Sequence, residues 1–492
     1  MKKDDLIVVT VNSAGFEYDI HSLVKAFYPA CDVKVTAEES EDSSGSGLPD
    51  LNILFEKEAI LISLNGGEEG MASFAAKKVE IAEDMQRAEV KNRLKQLIYT
   101  VLAEHTGRHL PWGTLTGIRP TKIPMTMLEE GASDEDILAY MQKTYFAGEE
   151  KSALALEIAK REKALLDTLH YENGYSLYIG IPFCPSTCLY CSFTSYPVIS
   201  WKKRIGEYLE ALEKEIDFVA ECYRDKVLDT VYIGGGTPTA LEADELERLL
   251  RKIRETLDLS HLKELTVEAG RADSITMDKL KILKKYGVNR ISINPQTMKQ
   301  ETLDLIGRKH TVNQVKEAFQ MAREAGFTNI NMDLILGLPG EEAVDVRNTI
   351  EQVGELKPDS LTVHSLAIKR ASKLSQWIQE NGISTLRNTD ETMRIAGEGA
   401  RKMGMEPYYL YRQKNMSGNF ENVGYAKEGC FGIYNILIME EKQSIVALGA
   451  GSISKRVYPD GRIERCDNVK DVALYIEKID EMIERKRVLL SD

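Results

Sequence analysis

Long apolar runs are missing from this sequence. No stretch approaches the ~18 residues of a membrane span, and the N-terminal "LIVVTV" is too short for the apolar core of a secretory signal. A basic surplus is missing too: 63 Lys and Arg stand against 77 Asp and Glu, a formal charge of −14. Nucleic-acid binding draws on a surplus of Lys and Arg. A large polyanion is therefore not the expected partner, although a local pocket for a small anion is still allowed. Cysteine is sparse and odd in number, seven in 492 residues. That argues against a disulfide framework and makes reducing cytoplasm the expected compartment. Cys31, Cys222, Cys430 and Cys466 are scattered and read as ordinary small, partly buried residues. Histidine is equally sparse, with none beyond His364, and no repeat of solenoid length is present.

What is there is a globular composition, 43% hydrophobic and 28% charged, long enough for several domains. "LIVVTV", "YDIHSLVKAFY" and "DVKVTA" predict strand, helix and strand over residues 5–35. "EESEDSSGSGLPD" (38–50) predicts a polar loop with no core to bury, and "LNILFEKEAILISLN" a hairpin. From Met71 to about Ile158 the pattern is helical, broken by the loop "RHLPWGTLTGIRPTK" (108–122). Residues 1–165 read as an N-terminal α/β and helical domain.

A different rhythm starts at Ser176. Short apolar runs ("SLYIGIPF", "DTVYIGGG", "ELTVEAG", "NRISINPQ", "TNINMDLILGLPG", "DSLTVHSLA") alternate with amphipathic stretches. Six such repeats predict parallel strands with helical crossovers, hence an α/β fold with a partial (β/α)6 barrel over residues 166–384. Functional groups of such barrels gather at the C-terminal strand ends, where the Gly-rich and polar tripeptides fall. Residues 385–492, with a helix at Asp390–Met403 and a strand and small-residue turn in "SIVALGAGSISKRV", read as a C-terminal α/β extension that covers substrate.

"YIGIPFCPSTCLYCSF" (178–193) places Cys184, Cys188 and Cys191 within eight residues. C-x-x-x-C-x-x-C is not a zinc-ribbon spacing, which pairs two C-x-x-C knuckles; no second knuckle exists and no histidine lies near. A [4Fe–4S] cluster takes one thiolate per iron, so three cysteines leave one iron open to an outside ligand. "GGGTPT" (234–239) ends the second strand with glycines that let backbone approach a ligand. Glu268, Gln296 and Asp333 end the third, fourth and fifth strands, and Arg308 lies in "LIGRKHT". Together these polar groups converge on the barrel mouth, where they suit a polar ligand.

The cysteine spacing with this barrel rhythm resembles the radical S-adenosylmethionine (SAM) superfamily. The resemblance implies that the open iron chelates SAM, whose reductive cleavage yields a 5′-deoxyadenosyl radical, the protein supplying binding and aim. "YIGIPFC…C…C", "YIGGGTPT", "GVNRISINPQ", "LIGRKHT" and "MDLILGLPG", in that order, resemble the oxygen-independent coproporphyrinogen III dehydrogenases (oxidases) over about 176–370. "ALGAGSIS" (447–454) is a weaker echo, and "WGTLTGIRPTK" is similar to a longer branch of the group. The resemblance implies that Tyr178, Tyr190, Gly235, Gly236, Thr237, Glu268, Gln296, Arg308, Asp333 and Ala367 contact SAM, and more faintly Ile453. The implied reaction turns two propionates of coproporphyrinogen III, a tetrapyrrole, into vinyl groups of protoporphyrinogen IX in haem biosynthesis. It needs a reductant such as flavodoxin or ferredoxin and a terminal acceptor. Lys369, Arg370 and Arg412, beyond the last strands, are candidate partners for substrate carboxylates.

Two positions depart from the well-studied dehydrogenases. They carry a further cysteine where this chain has Phe193, and a histidine where it has Gly180. The substrate therefore stays open. "CSF" also resembles a haem-trafficking branch whose C-terminal haem site is a His-Asn pair. Here "NMSGNFENVGY" has no histidine, so a haem chaperone needs Cys430, Met416 or a tyrosine instead. A radical SAM methyltransferase that opens haem anaerobically is a third reading.

Overall fold

The computed structural model describes the chain except residues 1–5, 30, 38–49, 66–73, 118, 192, 194, 369–371, 383–385, 414–418 and 492. Nearly all of the acidic loop, and with it Lys369, Arg370 and Met416, lies outside the described residues. The chain divides into two compact units, Met1–Glu157 with Arg412–Phe420, and Ile158–Tyr411 with Glu421–Asp492.

The first unit holds a five-stranded sheet in the order β2-β1-β3-β4-β5. Its strands are β1 (Leu6–Val11), β2 (Asp32–Thr36), β3 (Asp50–Phe55), β4 (Ala59–Asn65) and β5 (Phe74–Glu80). β1 runs parallel to β2 and β3, while β3–β4 is the expected hairpin. Helices Glu17–Phe27 and Arg87–Thr106 close over a core of Ile7, Val9, Ile20, Phe27, Leu94 and Ile98. The helical pattern expected from Met71 fails at its start. "FAAKKVE" is rich in helix formers but lies antiparallel on β4, so strand pairing overrides local propensity.

The second unit is built on an eleven-stranded sheet, order β14-β15-β13-β12-β11-β10-β9-β6-β16-β17-β18. The barrel strands are β6 (Gly174–Ile181), β9 (Val227–Gly235), β10 (Glu264–Glu268), β11 (Arg290–Ser292), β12 (Ile330–Leu336) and β13 (Ser360–Ser365). All six are parallel to their barrel neighbours, and the crossovers carry helices such as Ile205–Cys222, Ala243–Thr256 and Val312–Glu324. This is the expected partial barrel. β14 (Glu406–Tyr411) and β15 (Asn422–Ala426) extend it antiparallel beyond β13. On the opposite edge β16 (Ser444–Leu448) runs parallel to β6, followed by antiparallel β17 (Ile453–Val457) and β18 (Ile463–Asp467). A small pair, β7 (Phe183–Cys184) and β8 (Tyr196–Pro197), brackets the cysteine loop.

The barrel strands are apolar on both faces, as parallel strands flanked by helices must be. One residue interrupts burial in each of several strands: Tyr178 in β6, Glu268 in β10, Asp333 in β12 and His364 in β13. Glu268 ends its strand, His364 and Tyr178 lie in the C-terminal half of theirs, and Asp333, expected at the end of its strand, is the central residue of β12.

Candidate functional site

The cysteine loop leaves β6 through Pro182 and is moored on three sides. The amides of Gly236 and Thr237 donate to the carbonyls of Ile181 and Phe183, both at 2.8 Å. Leu189 donates to the Ile306 carbonyl at 2.9 Å and its own carbonyl accepts from Leu374 at 3.0 Å. Leu189 and Tyr190 also pack on an apolar cluster of Leu303, Ile306, Leu338 and Leu366. The glycines of "GGGTPT" have steric reasons. Gly235 has φ +106°, a left-handed conformation that suits glycine. A Cβ on Gly236 would stand 2.6 Å from the Phe183 carbonyl and 3.0 Å from the Cys184 sulfur.

The three thiols come together. Cys184 and Cys191 are half-buried and Cys188 is buried. Burial pushes the Cys184 thiol up; the Thr237 hydroxyl, 3.5 Å from its sulfur, pulls it down, while Cys191 and Cys188 push it further up. Burial likewise raises Cys191. Three neighbouring thiols suit a cluster that takes one thiolate on each of its irons.

Arg308 links this loop to the strand ends. Its Nη1 donates to the carbonyls of Gly270 (2.9 Å) and Asn294 (2.6 Å), and Nε and Nη2 reach the Tyr190 hydroxyl at 3.3 and 3.1 Å. Four of the five guanidinium N–H groups are thereby used, leaving one Nη2 N–H for an anion. Burial drives the Tyr190 hydroxyl upward, so it stays protonated.

Gln296 takes the strained φ of +68°, and its amide and carbonyl bond to the carbonyl of Asp333 and the amide of Ile335, both at 2.9 Å. Its Oε1 is buried with no hydrogen-bond partner, an acceptor without a donor. Asp333 receives Asn331 Nδ2 at 2.7 Å and faces His364 Nε2 at 3.7 Å. Burial pushes its carboxyl up, but His364, Asn331 and Thr362 together hold it below the usual range. Glu268 accepts from the Tyr232 hydroxyl at 2.5 Å, and burial raises its carboxyl to about 7. Ala367 follows β13, half-buried. Ile453 is 47% exposed at the start of β17, two strands beyond β6.

The structure adds Tyr232, Tyr434 and His364, which sequence reasoning missed. Tyr178, Tyr232 and Tyr434 stack, with ring centroids 6.2 Å (Tyr178–Tyr232) and 4.5 Å (Tyr232–Tyr434) apart. Tyr434 begins the helix Ile433–Glu440, whose first amides donate to the buried Glu264 carboxylate at 2.6 and 3.4 Å. His364 bridges Asp333 and the Tyr411 hydroxyl, 3.4 Å from its Nδ1. A polar residue late in the apolar run "SLTVHS" was the available signal for His364. Tyr434 had none, because only the fold brings it near.

Arg412 corrects an expectation. It is buried, with its guanidinium donating to the Leu115 carbonyl at 2.5 Å and to Asn419, and lying 5.9 Å from the Trp112 ring centroid. It belongs to the interior of the first unit and is not an exposed charge. Phe193 is 71% exposed on the cysteine loop, and Cys430 is half-buried.

Behind the "ALGAGSIS" segment lies a buried ion pair, Glu215 with Lys486 Nζ at 2.5 Å, both fully buried. Glu215 also accepts from the Gly449 amide (2.8 Å), Asn468 (2.9 Å) and Tyr475 (2.5 Å). The Tyr208 hydroxyl joins this segment to β6, donating to the Gly180 carbonyl at 2.7 Å and accepting from Ala450 at 3.1 Å. A Cβ at Gly180 would meet the Leu448 carbonyl at 3.3 Å, so a larger side chain there is crowded.

Comparison with known proteins decides the family. HemZ of Bacillus subtilis (strain 168), an oxygen-independent coproporphyrinogen-III oxidase-like protein, is 38% identical over 476 residues, covering 95% of this chain and 94% of that one. This chain belongs to the same family. The radical SAM superfamily profile matches residues 178–353. The haem chaperone HemW of Bacillus subtilis (strain 168) is 41% identical over 196 residues, 39% of this radical SAM chain and 51% of that one. The solved coproporphyrinogen III oxidase HemN of Escherichia coli shares the fold, with TM-score 0.51 and 23% identity over 65% of this chain and 72% of that one. Among the described residues no helix is long and apolar enough to cross a membrane.

Proposed function

We propose that this chain is a radical SAM oxidoreductase that decarboxylates two propionates of coproporphyrinogen III to vinyl groups without oxygen. The observation that carries the reading is the likeness to the oxidase-like HemZ along 95% of the chain, against 39% for the haem chaperone. Cys184, Cys188 and Cys191 would hold the [4Fe–4S] cluster, which with SAM would supply one-electron chemistry for hydrogen abstraction. Glu268, Gln296 and Asp333 face the ribose. The remaining Nη2 N–H of Arg308 takes the methionine carboxylate, a charge-assisted bond in a buried setting. Tyr178, Tyr190, Gly235, Gly236, Thr237 and Ala367 line the same pocket, with Ile453 at its edge. Residues 166–384 form the catalytic unit and 385–492 its cover.

Each propionate gives up one β-hydrogen, carbon dioxide and one electron, and the electron leaves to an acceptor. A flavodoxin- or ferredoxin-type protein would serve as the electron donor. The test is anaerobic reconstitution with SAM, a chemical reductant and coproporphyrinogen III. Loss of two carboxyl units together with 5′-deoxyadenosine supports the reading, and Cys→Ala at any of the three ligands should abolish both. Tight haem binding with no vinyl product would instead favour the trafficking role named for the HemW relatives.

A further inference from the structure

Arg271 lies three residues beyond Glu268, in the turn that follows β10, and belongs to none of the motifs that mark the site. It is 3% exposed. Its guanidinium points into the cysteine loop: Nη1 is 3.6 Å from the Cys188 sulfur, 3.1 Å from Ser186 Oγ and 3.3 Å from the Ser186 carbonyl. The other edge is clamped by Asp273, Nε to Oδ1 at 2.9 Å and Nη2 to Oδ2 at 2.7 Å. A bidentate fork of this kind fixes orientation as well as position.

The clamp is itself held. The Ser274 hydroxyl donates to the Arg271 carbonyl at 2.7 Å and lies 2.7 Å from Thr239 Oγ1, tying this turn to the "GGGTPT" loop. Behind Asp273 sits His310, 1% exposed, its Nδ1 3.9 Å from Asp273 Oδ1, with neither ring nitrogen in a hydrogen bond. A buried cation aimed at one sulfur is more than a loop tie. Arg308, the neighbouring arginine, spends its donors on carbonyls and the Tyr190 hydroxyl instead. Cys184 meets a neutral hydroxyl, that of Thr237; Cys188 meets a guanidinium.

We propose that Arg271 is a positioning residue that sets the reduction potential of the cluster by donating to the Cys188 thiolate. This rests on the reading that the three cysteines hold that cluster. Hydrogen bonds to cluster sulfurs, and charge near them, are principal levers on iron–sulfur potentials. A positive donor stabilises the added electron, so Arg271 makes reduction easier. Asp273 opposes it as counter-charge while fixing its aim.

The test is an EPR-monitored redox titration of the reconstituted, SAM-free full chain beside Arg271→Gln and Asp273→Asn. In Arg271→Gln the potential should fall so that about tenfold less cluster is reduced at a fixed potential, about 59 mV for one electron. In Asp273→Asn it should rise, since the counter-charge is gone while Ser186 still holds the arginine. An Arg271→Gln chain with a full cluster at the wild-type potential overturns the proposal, whatever its melting temperature. If Arg271→Gln loads no cluster, Asp273→Asn decides: an upward shift supports the assignment and an unchanged potential overturns it. Wild-type chain that takes up no cluster refutes the cysteine assignment instead, a separate failure.

Discussion

The Tyr232 hydroxyl and the Glu268 carboxyl meet across neighbouring strands at 2.5 Å. Burial is the largest influence on Glu268 and lifts it from 4.5 to about 7; Tyr232 and the Gly235 amide pull it down, while Asp333 pushes it up. The folded chain therefore keeps a proton that the unfolded chain releases near pH 4.5. Across that window the native state binds more protons, so this group's contribution to stability falls as pH rises from about 4.5 to 7. Glu268→Gln should flatten that part of the profile, read as melting temperature against pH for the cluster-free chain. Parallel curves for variant and wild type would contradict it.

Gln296 offers a change with two opposite signs. Replacing it by Met removes a buried acceptor that has no donor, so the ligand-free chain should melt at the same temperature or slightly higher. SAM binding should weaken by about 1 kcal/mol, roughly fivefold. Calorimetry on the cluster-loaded chain reads the affinity, and unaltered affinity would remove Gln296 from the ribose site.

Gly236→Ala should be costly although it adds one methyl. The new carbon would lie 2.6 Å from the Phe183 carbonyl and 3.0 Å from the Ile181 carbonyl, and backbone cannot swing away as a side chain can. Overpacking of this sort costs about 1–3 kcal/mol, and the displaced strand carries Cys184. Iron and sulfide per chain after reconstitution should fall together.

Lys486→Met tests the ion pair under the "ALGAGSIS" segment. It leaves the Glu215 carboxylate buried without its cation, which costs about 3–5 kcal/mol. Adding Glu215→Gln should recover much of the loss, since the amide oxygen still accepts from Gly449 and Tyr475. Denaturant unfolding of the cluster-free single and double variants measures both steps.

Much of this was legible in the sequence because it is local. Alternating apolar runs and amphipathic stretches announce the six barrel strands, and a polar residue inside a run such as "ELTVE" or "INMDLIL" marks the mouth. Three thiols within eight residues need no fold to be noticed. What stayed hidden depends on distance along the chain. Tyr434 stacks on Tyr232 from a helix start whose amides bond to Glu264, far away in sequence. Arg271 looks like any loop cation until its turn is folded against Ser186. Arg412, read as a partner for substrate carboxylates, is buried on Leu115, 297 positions away. β5 failed for the opposite reason: its composition favours helix, and only its partner strand makes it extended.

The place of β16 beside β6 has a consequence for biogenesis. Gln443, at the start of β16, bonds to Ser176 of β6 across 267 residues. At about 5–20 residues per second, a ribosome needs roughly 13–53 s to deliver the second strand after the first. Throughout that interval the strand leading into Cys184 shows a bare row of amides and carbonyls on one side. That edge of β6 is closed only once Ser444–Leu448 has been made.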